Sequence, residues 1–136
     1  MKILVVNLHA MSNRGDAAIN YVSLEFLRRA YPNAHITLAA NHPEEFAGLA
    51  EGVVPSFKTW VWSTDERQRF VWYPLRFVWL LLAALSLIYW RVTRRLPRGW
   101  SPAKRALLQA YADADLVVSC GGNTLYARRR LALMFW

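Results

Sequence analysis

The chain is 136 residues long, enough for one domain around a single core. Its one cysteine, Cys120, excludes an intramolecular disulfide and argues against a Cys-rich zinc site. The net charge of +8 is regional: residues 67–112 hold nine Lys or Arg and no Asp or Glu, so one segment, not the whole protein, calls for an anionic partner.

Met1-Lys2 leads into an apolar run of about six residues, too short for a secretory signal core, so a cytoplasmic location is the default expectation. Ile3 to Val6 reads as a buried parallel strand, apolar on both faces. The polar loop His9 to Asp16 follows. Ala17 to Ala30 reads as a helix with Ile19, Val22, Phe26 and Ala30 on one face and Glu25 within reach of Arg28 or Arg29 on the other. Pro32-Asn33 stops it, and His35 to Ala40 is a second strand. Together these form a βαβ unit with a right-handed crossover. Glu44 to Ala50 is a candidate short helix and Gly52 to Pro55 a weak third strand. Further on, Ser101-Pro102 starts a helix, Ser as N-cap and Pro at the first helical position, with Ala103, Ala106, Leu107, Ala110 and Tyr111 as its apolar stripe. Leu116 to Ser119 is another short buried strand. Cys120-Gly121-Gly122-Asn123 follows, and then a helix carrying Arg128 to Arg130.

Two loops sit where open α/β sheets bind ligands, just past the carboxyl ends of strands. The first is Ser12-Asn13-Arg14-Gly15-Asp16-Ala17-Ala18-Ile19. Gly15 permits close approach of a ligand. Asp16 stands at the expected N-cap: it either only caps the helix, or turns the loop toward sugar hydroxyls and away from phosphate. The second loop, Cys120-Gly121-Gly122-Asn123-Thr124, is neither a dinucleotide fingerprint nor a P-loop. Cys120 is read as a small buried residue in preference to a nucleophile, since none of His9, His35 and His42 is an obvious base for it.

These two loops resemble the polysaccharide pyruvyl transferase family. The opening Met-Lys-Ile-Leu-Val-Val-Asn, then Asn13-Arg14-Gly15-Asp16-Ala17-Ala18-Ile19, is similar to the family's start, and Ala114-Asp115-Leu116-Val117-Val118-Ser119-Cys120-Gly121-Gly122-Asn123 to a second family segment. Cys120 stands where the family often has a Gly. The resemblance implies an α/β, Rossmann-like parallel sheet, the N-terminal half of a GT-B-like two-domain fold. It also implies transfer of a pyruvyl group from phosphoenolpyruvate onto sugar hydroxyls, with no separate cofactor. The acceptor would be a sugar of a cell-surface polysaccharide or its lipid-linked precursor, and the substrate-binding candidates are Asn13, Arg14, Gly15, Asp16, Gly121, Gly122 and Asn123. Arg14 is either a clamp on the donor or a solvated loop residue. Catalytic residues are not assigned, because the family's donor-binding groups come largely from a C-terminal half outside these residues, and the chain alone is expected to be inactive. A membrane-docking sugar-binding module and the acceptor half of a GT-B glycosyltransferase are the alternatives.

Phe77 to Trp90 is fourteen residues with only Ser86 polar, set in an apolar, basic helical insertion at about 67–100. As a helix the run is about 21 Å long, short of a hydrocarbon core of roughly 30 Å. A span would also put the first two strands and the last on opposite sides of a membrane, so a transmembrane helix is rejected. Two readings stay open: a core or interface helix, and an interfacial or re-entrant membrane contact through Trp72, Trp79, Trp90, Arg91, Arg94 and Arg95. The second is favoured, because burial does not explain flanks of one charge sign. It implies peripheral association with the inner face of the plasma membrane. Nucleic acid is disfavoured as a partner, since an uninterrupted apolar run has no place on a single strand.

Overall fold

The computed structural model describes residues 1–8, 10–61 and 69–120, with backbone alone at 60–61 and 69–76. Four strands, β1 (Lys2–Leu8), β2 (His35–Ala40), β3 (Gly52–Pro55) and β4 (Leu116–Ser119), form an all-parallel sheet in the order β3-β2-β1-β4. The helices are α1 (Arg14–Ala30), α2 (Phe57–Val61), α3 (Arg69–Thr93) and α4 (Pro102–Asp113), with a 3-10 turn at Pro43–Phe46. This is a Rossmann-like α/β fold. The strand order reverses between β1 and β4, which makes that junction the switch point of the sheet.

β1 is central and apolar on both faces, as its residues require. Ile3 and Val5 cluster with Leu24 and Leu27 of α1, with Ile36 and Leu38 of β2, and with Phe46 of the 3-10 turn. Leu4 faces the other way and meets Ala39 and Leu107 of α4. β4 departs from the expected buried strand: its burial alternates, Val117 is exposed, and among the described strands it lies at the sheet edge. The expected helix at 44–50 is the shorter turn Pro43–Phe46, and α2 was not foreseen.

α1 corrects the sequence reading twice. It begins at Arg14, not Ala17, and its cap is Asn13, whose Oδ1 accepts from the Gly15 N–H at 3.1 Å. Asp16 therefore lies inside the first turn. Its buried face is Asn20, Leu24 and Leu27, whereas Val22 and Phe26 are 70% and 69% exposed. The expected stripe is rotated by roughly a third of a turn from the true one. The reason is that two polar residues, Asn20 and Ser23, face inward and bond to groups from distant loops, so apolar spacing misplaces the face. Arg29 is the partner of Glu25, at 2.9 Å, while Arg28 donates to the Leu49 carbonyl.

α4 is capped by Ser101 as expected. Its expected stripe omits Leu108, which is buried, and includes Ala103 and Ala106, which are exposed. α4 has two neighbours: Leu107 packs on the sheet, and Leu108 joins Ala83 of α3 and Leu96. A single stripe cannot describe a helix packed on two sides.

α3 is 25 residues, about 37 Å, and extends upstream through Pro74. It stops where Arg94 takes a left-handed conformation at φ 57° and its N–H closes on the Trp90 carbonyl. Trp79 meets Lys104 near the start of α4, Ala83 clusters with Leu108, and Trp90 and Arg94 share a cavity with Asp113 and Asp115. α3 and α4 thus run in the same direction, toward the amino end of the sheet, and residues 95–100 double back between them. Among the described residues no helix is long and apolar enough to cross a membrane. β1 also pairs with β4 from Ile3↔Leu116 to Val6↔Ser119, so both ends of the intervening segment lie on one side of any bilayer.

Candidate functional site

The sheet brings the two loops of interest to adjacent strand ends. The Cys120 N–H donates to the Val6 carbonyl at 2.9 Å, placing the start of the second loop beside the end of β1. Gly121, Gly122, Asn123 and His9 lie outside the described residues, so the site is built from Asn7, Met11 to Asp16, Asn20, Ser119 and Cys120.

Asn7 sits where β1 bulges. Between Val5 and Leu8 the strand advances three residues while β2 advances two, from Leu38 to Ala40. The extra residue returns Leu8 to the α1 face of the sheet, beside Val5. Asn7 has φ 62°, a left-handed conformation that Asn tolerates better than most side chains, and its Nδ2 donates to Ser119 Oγ at 3.0 Å. The bulge therefore aims a carboxamide across the switch point, from β1 to β4.

Asn20 joins the two loops from beneath. It is only 2% exposed. Its Nδ2 lies 3.6 Å from Met11 Sδ in the first loop, and its Oδ1 accepts from the Cys120 thiol at 3.3 Å. Ser23 Oγ is 3.5 Å from the same sulfur. Cys120 is thus a buried structural thiol, as the sequence favoured, with an amide and a hydroxyl for neighbours. The first loop is braced from a third side by Glu45 of the 3-10 turn, whose Oε2 accepts from the Met11 N–H. Neither Asn7 nor Glu45 was singled out from sequence. The lone hint for Asn7 is a polar residue inside an apolar strand, and Glu45 gives none.

Asn13, Arg14 and Gly15 are exposed at the rim, and Asp16 is half-buried beside them. Arg14 and Asp16 lie in the first turn of a 17-residue helix, whose amino end carries partial positive charge and free N–H groups. One N–H is taken by Asn13. The rim thus offers amide, guanidinium and carboxylate groups at the carboxyl end of the sheet. Among the described residues no group of three His, Cys, Asp or Glu could hold a metal ion.

A model of the polysaccharide pyruvyl transferase family matches residues 13–136, from the α1 cap onward. The chain belongs to the polysaccharide pyruvyl transferase family. No curated protein and no solved structure matches it at a significant level. The match to this pyruvyl transferase family begins at Asn13 and takes in the first loop from its cap onward and the whole of the second, while β1 precedes it.

The two best-formed cavities among the described residues lie elsewhere. One, of about 450 Å³, is at the amino end of the sheet. Its charged groups pair with one another: the Lys2 N–H donates to Asp115 Oδ2 at 2.7 Å and Lys2 Nζ is 3.5 Å from Asp113. The other, about 520 Å³, runs along α3 and is mostly apolar. The cavity at the amino end is lined by Ala114 and Asp115, the start of the second family segment, but neither cavity contains a residue of the two loops, so the strand ends that carry those loops are the candidate site.

Of the residues expected at a membrane, the side chain of Trp72 lies outside the description. Trp79 and Trp90 are half-buried and turn toward Trp100, α4 and Leu108. The Trp79 and Trp100 rings meet at a tilt of 47° with centroids 5.6 Å apart, Lys104 Nζ sits 3.6 Å over the Trp79 ring, and the Trp100 Nε1–H donates to Ser86 Oγ at 2.9 Å. Arg91, Arg94 and Arg95 are exposed, with the Arg94 guanidinium 4.9 Å over Trp90.

Proposed function

We propose that this chain contributes the acceptor-binding side of a pyruvyl transferase that moves a pyruvyl group from phosphoenolpyruvate to a sugar of a cell-surface polysaccharide or its lipid-linked precursor. The observation that carries the reading is that the two motif loops start from adjacent strand ends, with Cys120 bonded to Val6 at the β1–β4 switch point, in a chain whose residues 13–136 match the family. In the reaction, two sugar hydroxyl oxygens bond to the enol carbon of the donor, whose bond to the phosphate oxygen breaks. One hydroxyl proton goes to the methylene carbon, making a methyl, and the other leaves with phosphate. Carboxamide and carboxylate groups on a rigid rim, Asn7, Asn13 and Asp16, orient two hydroxyls for this. Arg14 favours the donor's negative charge.

The assay, made on the full-length enzyme, is phosphate release from phosphoenolpyruvate with a lipid-linked sugar acceptor, with the ketal methyl followed by NMR. Asn7→Gly removes the carboxamide and keeps the left-handed backbone accessible. It and Asp16→Asn are expected to lower turnover tenfold or more, roughly the cost of one oriented polar contact, with melting temperature near the parent's. Parent-like turnover in both variants would sink the reading. Acceptor binding without phosphate release would favour a sugar-binding module.

A further inference from the structure

α3 divides into two faces. Its inner face, Trp79, Ala83, Ser86, Leu87 and Trp90, is turned to α4 and Trp100. The opposite face carries Phe77, Leu81, Leu85, Ile88 and Val92, all about half exposed or more, Val92 at 81%. At 100° per residue these five fall within an arc of about 80°, and the flanking exposed Leu80, Val78, Tyr89 and Leu82 widen it to roughly 200°. A contiguous uncovered apolar surface of this kind marks an interaction site. The groove of about 520 Å³ between α3 and the 97–100 turn, lined by Leu82, Leu85, Tyr89 and Pro97, extends it.

We infer that this face of α3 is an interfacial anchor for an anionic lipid surface, on which the helix lies in the plane of the bilayer. Charge chooses the occupant. Residues 67–112 contain nine cations and no carboxylate. At the end of the apolar arc, Arg91, Arg94, Arg95 and Arg98 are exposed within eight residues of chain. A second copy docking here by two-fold symmetry would bring like charges together. A bilayer of anionic headgroups takes the apolar arc and the arginines at once. The surface differs from the one expected from sequence. The aliphatic outer face makes the contact, and Trp79 and Trp90 hold the helix to the protein. The inference does not depend on the pyruvyl transferase reading.

The test is co-sedimentation of the full chain with vesicles of phosphatidylcholine, alone or mixed with phosphatidylglycerol, across a salt series, beside gel filtration of the free protein. Binding is expected on the mixed vesicles, weakened but not abolished by salt. Leu85→Ser with Ile88→Ser should lower partitioning on the order of a hundredfold, two large side chains leaving the apolar phase, with melting unchanged because both are exposed. Arg94→Gln with Arg95→Gln should lower it roughly tenfold or more at low salt and little at high salt. Trp79→Ser should lower the melting temperature instead. Equal binding to both vesicle types would overturn the anionic requirement. No binding to either, whether the protein is monomeric or self-associates, would overturn the anchor itself.

Discussion

Asn13 and Asp16 divide labour that sequence alone assigned to one residue. Asn13 caps α1, so Asn13→Ala should cost about 1 kcal/mol of stability, read from urea unfolding. Asp16 interacts with the helix end only as a charge in the first turn, so Asp16→Asn should cost less than that. Glu51 offers a second residue-level test. Its own backbone N–H and that of Ile36, at 2.9 Å, donate to its carboxylate and hold its pKa below the usual value. A depressed carboxyl pKa contributes stability that is present above the unfolded-state value and lost as pH falls through the folded one. Glu51→Gln should therefore melt lower than the parent near neutral pH. The gap should close as the solution is acidified past the normal carboxyl range, because Glu51 is then uncharged in both states. A gap that persists in acid would point to packing at the β2–β3 edge instead of charge.

At the scale of elements, α4 is the hinge between sheet and α3. Leu108 is fully buried against α3, and Leu108→Ala should cost about 2–5 kcal/mol in chemical denaturation, while Leu81→Ala on the outer face of α3 should stay within about 0.5 kcal/mol of the parent. The strands were legible because β-branched and small residues in short runs between turn residues have one reasonable reading, and α4 because Ser101-Pro102 is a strong start signal. The inward faces of helices were less legible. α1 turns Asn20 and Ser23 inward to meet Cys120, a residue 100 positions from Asn20, and no local period contains that contact. The same holds at the site. The motif loops could be named from their glycines and their order, but the Asn7 bulge and the Glu45 brace depend on register and on a turn whose position only the folded chain sets.

For the whole molecule, the direction of α3 relates the proposed anchor to the candidate site. α3 runs toward the amino end of the sheet, and the motif loops stand at the carboxyl end. With α3 lying in the headgroup layer the strands would lie roughly along the membrane, with the carboxyl end of the sheet facing sideways along its surface. The pairing of β1 carries a different consequence, one of time. β1 finds β2 across a single helix, yet its other edge waits for β4, and the Lys2 N–H bonds to Asp115 across 113 positions of chain. During synthesis the βαβ unit can close early. The open edge of β1, flanked by an apolar α3 still without its partner helix, then stays available to any other extended chain until Leu116–Ser119 emerges. The slowest and most error-prone step of folding is expected to be this last strand pairing, so the same event that brings the two loop starts to adjacent strand ends also ends the period in which the nascent protein is prone to aggregate.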